Sequence, residues 1–229
     1  KEKLDAVFIC VPPFAHGDIE IEAAERNLPF LVEKPVNLYM EKAKEVDNLV
    51  KQKNLITSVG YCLRYMKIVE KAKEILKGKT IAQIVGRYFG GVPGDGKGWY
   101  VQREKSGGQI VEQATHIVDL MRYFAGDVDS VYGQGFKGIN KIENYDVEDA
   151  SIVNMHFKSG CIGSLNCNWL LWGYEPSMEI VTSGLRMKYS ISSLEVIEEN
   201  KKEEFLEEKD FSLEQDRTFI EAVKNGDTS

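Results

Sequence analysis

The chain has 229 residues and a mass of 25.9 kDa, with 43% hydrophobic and 28% charged residues. This ordinary globular balance excludes a disordered chain, a collagen-like repeat and a coiled coil. Twenty-nine Lys and Arg against 36 Asp and Glu leave a net charge of −7, and no clustered basic face offers the footprint that a nucleic acid demands.

At about 100–200 residues per domain, the length predicts one large domain or two unequal ones. Apolar runs such as residues 6–11 fall far short of the ~18 residues of a membrane span, and no basic region precedes an apolar one as in a signal peptide. Cys10, Cys62, Cys161 and Cys167 form no C-x-x-C pair, so no metal site or redox motif is read from them. With no Asn-x-Ser/Thr sequon, a reducing, cytoplasmic compartment is expected.

In chain order, residues 6–11 form an apolar run ended by Pro12-Pro13, which predicts a strand buried on both faces. A helix through Ile19, Ala23 and Ala24 follows, then the run Phe30-Leu31-Val32. A further helix after Asn37 carries Ala43, Val46 and Val50 on one stripe, and residues 55–61 form the next strand. This alternation predicts a right-handed parallel α/β unit. Beyond Gly78 the texture changes. Residues 81–89 predict a strand, 90–108 a Gly-rich polar loop and 109–125 one continuous helix. Val153, Met155 and Phe157 alternate with Ile152, Asn154 and His156; Leu165, Cys167 and Trp169, and then Leu185, Met187 and Tyr189, alternate likewise. That is an antiparallel sheet with one wet face. The acidic stretch 195–210 reads as a solvated face or loop, and Ser212-x-x-Gln215 as the capping box of a last helix ending near Gly226. The domains predicted are 1–64, part of a dinucleotide-binding fold, and 65–229, an α/β domain with an open, mainly antiparallel sheet.

Three places invite chemistry. Gly133-Gln-Gly135-Phe-Lys-Gly138 matches G-x-G-x-x-G, but no helical stripe follows to meet a pyrophosphate, so it reads as a Gly-rich strand or turn. Glu33-Lys34-Pro35 ends a buried strand, where open α/β sheets bind ligands, and proline favours an extended Lys34. Lys34 there serves as hydrogen-bond donor or acid/base, a solvated lysine being the alternative. In the helix from Gln109, Glu112, His116, Asp119 and Tyr123 share one face at 0, +4, +7 and +11. A carboxylate one turn from an imidazole orients it and raises its pKa, as suits a general base; a solvated polar face is the alternative. His16, at a strand end, is placed in the same crevice as Lys34, and His156 on the wet face of a strand.

The series from Asp5 through Pro12-Pro13 to His16, then Glu33-Lys34-Pro35, Gly60-Tyr-x-x-Arg64 and Gly107-Gly108-x-x-x-Glu112-x-x-x-His116-x-x-Asp119, resembles the Gfo/Idh/MocA oxidoreductases along essentially the whole chain. The resemblance implies a Rossmann domain binding NAD or NADP, a substrate domain that often mediates dimers or tetramers, and hydride transfer from a secondary alcohol of a sugar or cyclic polyol. It makes Lys34, His116 and Glu112 the catalytic set, with His116 taking the hydroxyl proton. It assigns Pro12, Pro13, His16, Glu33, Lys34, Pro35 and Arg64 to the cofactor. Trp99, Tyr100 and Arg103 join Lys34, Glu112 and His116 as substrate contacts. Glu112 stands where many members have Asp. The family's glycine-rich first turn is expected about 60 residues before this start, so the chain reads as a fragment. Two other readings stay open: glycoside hydrolysis or elimination through transient oxidation, and a non-catalytic binding or oligomerisation module.

Overall fold

The computed structural model describes residues 3–227. Three short parallel strands, β1 (Val7–Ile9), β2 (Phe30–Val32) and β3 (Thr57–Val59), pair in that order, with Ile9 beside Val32 and Val32 beside Val59. Helices α1 (Asp18–Glu25) and α2 (Met40–Lys53) make the crossovers. Their small and branched residues, Ala23, Ala24 and Val46, pack with Ile9, Phe30 and Val32 into one core. The α/β alternation is as the sequence predicts, except that β1 is not covered on both faces. Phe8 is half-exposed, with its ring edge-on to Phe219 at 5.3 Å.

A turn at Cys62–Tyr65 leads into α3 (Lys67–Leu76), a helix the sequence reading left unassigned, and then into β4 (Ile81–Gly90). Two four-residue helices, α4 (Arg103–Ser106) and α5 (Gln109–Glu112), precede α6 (Thr115–Ala125). The remaining strands are β5 (Val128–Phe136), β6 (Ala150–Phe157), β7 (Ile162–Asn168), β8 (Tyr174–Thr182), β9 (Leu185–Ser190), β10 (Ser193–Glu198) and β11 (Lys201–Leu206). They form one sheet in the order β11-β10-β9-β8-β4-β7-β6-β5. Every pairing is antiparallel except β4 with β7. One face holds the main core, where Met155, Phe157, Leu165, Met178, Met187 and Tyr189 meet Ile68, Val69, Ile117 and Met121 of α3 and α6. Alternate residues such as Val131, Ile152 and Ile162 are exposed. Cys161 and Cys167 are free and buried, as small core residues are.

Of the two readings of residues 195–210, the solvated face holds and the loop is corrected: β10 and β11 form a hairpin whose charges pair across strands, Lys202 Nζ lying 2.7 Å from Glu195 Oε1. Such pairs let a charge-rich segment hold sheet structure at an edge. The expected cap is corrected as well. The cap of α7 (Phe211–Asn225) is Asp210, whose carboxylate accepts from the Ser212 and Leu213 amides at 3.1 and 3.0 Å, and not Ser212. Gly133 and Gly135 lie within β5, paired with β6, so that motif opens no helix. Helix α7 returns to the first sheet, against Phe8 and the turn Cys62–Tyr65. Its first residue, Phe211, packs on the core of the larger sheet, so α7 spans from one sheet to the other.

Gly86 lets α6 lie close on β4. A methyl group there would sit 2.5 Å from Ile117 Cγ2 and 2.8 Å from Met121 Sδ. Gly86→Ala is expected to destabilise the fold by about 1–3 kcal/mol through overpacking; an unchanged denaturant midpoint would refute this.

Candidate active site

Lys34 leaves the end of β2 just before Pro35, with a cis Lys34–Pro35 bond. Its side chain reaches across to α5, where Nζ donates to the Glu112 carbonyl oxygen at 2.8 Å and to Glu112 Oε1 at 2.9 Å. Both side chains are largely shielded, 17% and 8% exposed. The second carboxylate oxygen, Glu112 Oε2, is buried without a hydrogen-bond partner, and so is Nδ1 of His116. A buried polar atom left unpaired costs about 1–3 kcal/mol.

The helix predicted over 109–125 is broken. Helix α5 ends at Glu112, Gln113 departs from ideal helical geometry with φ −108° and ψ −54°, and α6 starts at Thr115. Side chains impose the break. Gln109 Nε2 donates to the carbonyls of Tyr88 (3.3 Å) and Asn168 (2.7 Å) on the sheet, and Trp169 Nε1 donates to Gln113 Oε1 at 2.7 Å. Trp169 is in turn tied to the chain after β5: Asn140 Nδ2 donates to its carbonyl and to buried Asp149. Backbone amides of Gly138, Ile139 and Asn140 also donate to Asp149. Burial opposes the Asp149 charge, but those donors outweigh it and hold its carboxyl below the ordinary range.

The break changes what the polar stripe does. Glu112 turns to Lys34 and Asp119 to Arg64, whose Nε and Nη2 donate to the two Asp119 oxygens at 2.7 and 2.5 Å. Neither carboxylate orients His116. Burial, with a smaller contribution from the Lys34 charge, pushes the imidazole down to about 4. The expected rise is thus reversed: His116 is a neutral imidazole at pH 7, with an acceptor nitrogen available. The Tyr61 ring stands edge-on to it at 6.3 Å.

The other predicted residues sit around this cluster with different partners. His16 does not open onto the crevice. Its ring is buried, 2.6 Å from Glu20 Oε1 through Nδ1 and 3.1 Å from the Val11 carbonyl through Nε2. Glu20 also accepts from the Gly17 amide, so this pair fastens the turn that follows Pro12 and Pro13. Glu33 stands beside Gly60, where a Cβ would come within 3.0 Å of its Oε2. Pro35 is buried. Trp99 stacks on Tyr100 at 3.9 Å and meets Phe14 edge-on at 6.2 Å, so the Gly-rich loop packs on the turn after β1. Arg103 is exposed and pairs with Glu148 at 2.5 Å. His156 lies on the exposed face, as expected, 3.7 Å from Asp129. The wide groove between α3 and the end of α6, lined by Glu70, Lys73, Tyr123 and Ser159, includes none of Lys34, Glu112 or His116. Residues missed as site components are Tyr61, Gln109, Gln113 and Trp169. Only Tyr61, inside a quoted motif, carried a sequence signal.

This arrangement joins the strand ends of a Rossmann-type sheet to a Lys–Glu pair and a neutral histidine. The comparisons with known proteins agree with that class. Residues 1–61 match the model of an oxidoreductase family with an NAD-binding Rossmann fold, and 69–186 match the GFO/IDH/MocA C-terminal domain. The chain belongs to the Gfo/Idh/MocA oxidoreductase family. It is 32% identical over 224 residues to an uncharacterized protein of Schizosaccharomyces pombe, covering 82% of this chain and 53% of that protein. It is 30% identical to the scyllo-inositol 2-dehydrogenase (NAD(+)) of Bacillus subtilis, covering 78% and 53%. The chain spans about half the length of these curated relatives. The fold matches levoglucosan dehydrogenase in complex with NADH and L-sorbose at a TM-score of 0.87 and 21% identity, over 96% of this chain and 70% of that one.

Proposed function

We propose that the whole protein oxidises a secondary alcohol of a sugar or cyclic polyol with NAD or NADP. The observation that carries this reading is the meeting of Lys34, Glu112 and a neutral His116 at the strand ends, with Glu112 Oε2 and His116 Nδ1 buried and unpaired. The nicotinamide dinucleotide, when bound, supplies the hydride acceptor. Pro12, Pro13, Glu33, Lys34 and Pro35 form its border at the ends of β1 and β2, as ligands bind in open α/β sheets. His16 acts beneath that border rather than on it. His116 takes the proton of the reacting hydroxyl. Lys34, held by Glu112, faces the oxygen on which negative charge grows and stabilises it electrostatically. Glu112 accepts a hydrogen bond from a neighbouring hydroxyl, and Trp99 and Tyr100 offer an aromatic surface to the sugar.

A homo-oligomer, dimer or tetramer, forms through the open face of the larger sheet, where Val131, Ile152 and Ile162 are exposed. The four cysteines are free and suit a reducing compartment, the cytoplasm. Among the described residues no helix is long and apolar enough to cross a membrane.

The test is reduction of nicotinamide by the whole protein against a panel of sugars and cyclic polyols, each with NAD and with NADP. Absorbance of the reduced cofactor is expected with at least one pair. Release of a leaving group with no net reduction would overturn the dehydrogenase reading in favour of the hydrolase or lyase one.

A further inference from the structure

Three residues at the C-terminal edge of the small sheet each hold one residue of the α5–α6 segment. Lys34 holds Glu112, the Tyr61 hydroxyl lies 3.4 Å from Thr115 Oγ1, and Arg64 grips Asp119 through Nε and Nη2 along one edge of its guanidinium. His116 lies among the three, and its Nδ1 has no bond of its own. Its ring position is therefore inherited from the helix that carries it. Asp119, one turn beyond on the same helix, is buried, while Arg64 is partly exposed and flanked by the rings of Tyr61 at 5.9 Å and Tyr123 at 5.0 Å. Fork-to-carboxylate geometry of this kind fixes distance and angle more firmly than a single point charge.

We propose that Asp119 is a positioning residue, forming with Arg64 a strut that sets His116 against Lys34, and that Arg64 acts through this strut and not by touching the dinucleotide. The inference rests on the reading of His116 as the proton acceptor. Asp119 carries no proton in the reaction; it acts through the register of α6 on the small sheet.

The test uses Asp119→Asn and Arg64→Gln in the whole protein, with Arg64→Lys as a milder variant that keeps the charge and loses the fork. Asp119→Asn and Arg64→Gln are each expected to lower kcat by about tenfold or more, with Kd for the dinucleotide changed by less than about twofold. The double variant should lose little more than either single, since both break one interaction. A readout independent of turnover is the NMR signal of the imidazoles. The chain has three histidines, and the His116 resonances alone should move in Asp119→Asn and in Arg64→Lys. An unmoved His116 resonance with unchanged kcat would overturn the strut. So would a loss of dinucleotide affinity in Arg64→Gln that Asp119→Asn does not share, which would make Arg64 a cofactor contact. If the unmodified protein reduces no nicotinamide with any substrate, the dehydrogenase reading fails, while the NMR arm still decides the strut.

Discussion

Lys34→Ala is expected to cut kcat of the whole protein by about 10²–10³, the usual effect of removing a preorganised donor from a developing oxyanion. The same change leaves Glu112 with a shielded carboxylate and no cation. Because Lys34 keeps 17% of its surface in water, that loss costs about 1–3 kcal/mol of stability, less than for a fully buried pair. The two effects separate by experiment. Lys34→Met with Glu112→Gln removes the stranded charge and recovers stability, yet restores no turnover, since the cation at the reacting oxygen is still missing. Rates measured at a temperature where circular dichroism shows each variant folded give the comparison. Turnover undiminished in Lys34→Ala would sink the proposed chemistry.

His116→Ala is expected to slow turnover by about 10²–10⁴, the span of general base catalysis, and the pH behaviour of the native protein carries a sharper signature. With the imidazole held near 4 against an ordinary 6.5, His116 remains an acceptor well below neutrality. The His116-dependent limb of kcat/KM in the free enzyme should fall only as pH approaches 4, not through 6.5. Folding is linked with the same sign. The unfolded chain takes up this proton near 6.5 and the folded one only near 4, so stability is full above about 6.5 and is lost as pH drops between those values. The loss levels off below 4 at about 3 kcal/mol, at 1.36 kcal/mol per pKa unit. An imidazole titration by NMR that placed the His116 midpoint near 6.5 would refute both statements.

That pH behaviour is the reverse of what the sequence suggests, and the reason is instructive. The four polar residues at helical spacing and the strand-end element Glu33-Lys34-Pro35 are visible in the sequence, and the structure brings Lys34 and Glu112 together near His116. What spacing could not show was which partner each carboxylate takes. Asp119 lies only three residues along the helix from His116, but Arg64, 55 residues away in sequence, supplies a full positive charge and two aligned donors. The helix break was equally hidden, because no Gly or Pro lies between Glu112 and Thr115. It is imposed from outside, by Gln109 on sheet carbonyls and by Trp169 on Gln113. The strands with alternating apolar residues were legible because burial follows period two. The β10–β11 hairpin was harder to read: β10 buries Leu194 and Val196 at period two, but β11 is nearly all charged and held by cross-strand ion pairs on an exposed edge.

The return of α7 to the first sheet has a mechanical consequence. Phe219 is almost fully buried and meets Phe8 of β1, while the same helix lies on the turn that leads from β3 into the larger sheet. Pulling the two sheets apart means exposing that ring, at about 1.5–3 kcal/mol for a buried Phe, and stripping the helix from the turn as well. The chain is thus buckled shut behind the crevice. Separating the sheets therefore carries a cost at α7 as well as at the Lys34–Glu112 and Arg64–Asp119 pairs that bridge them.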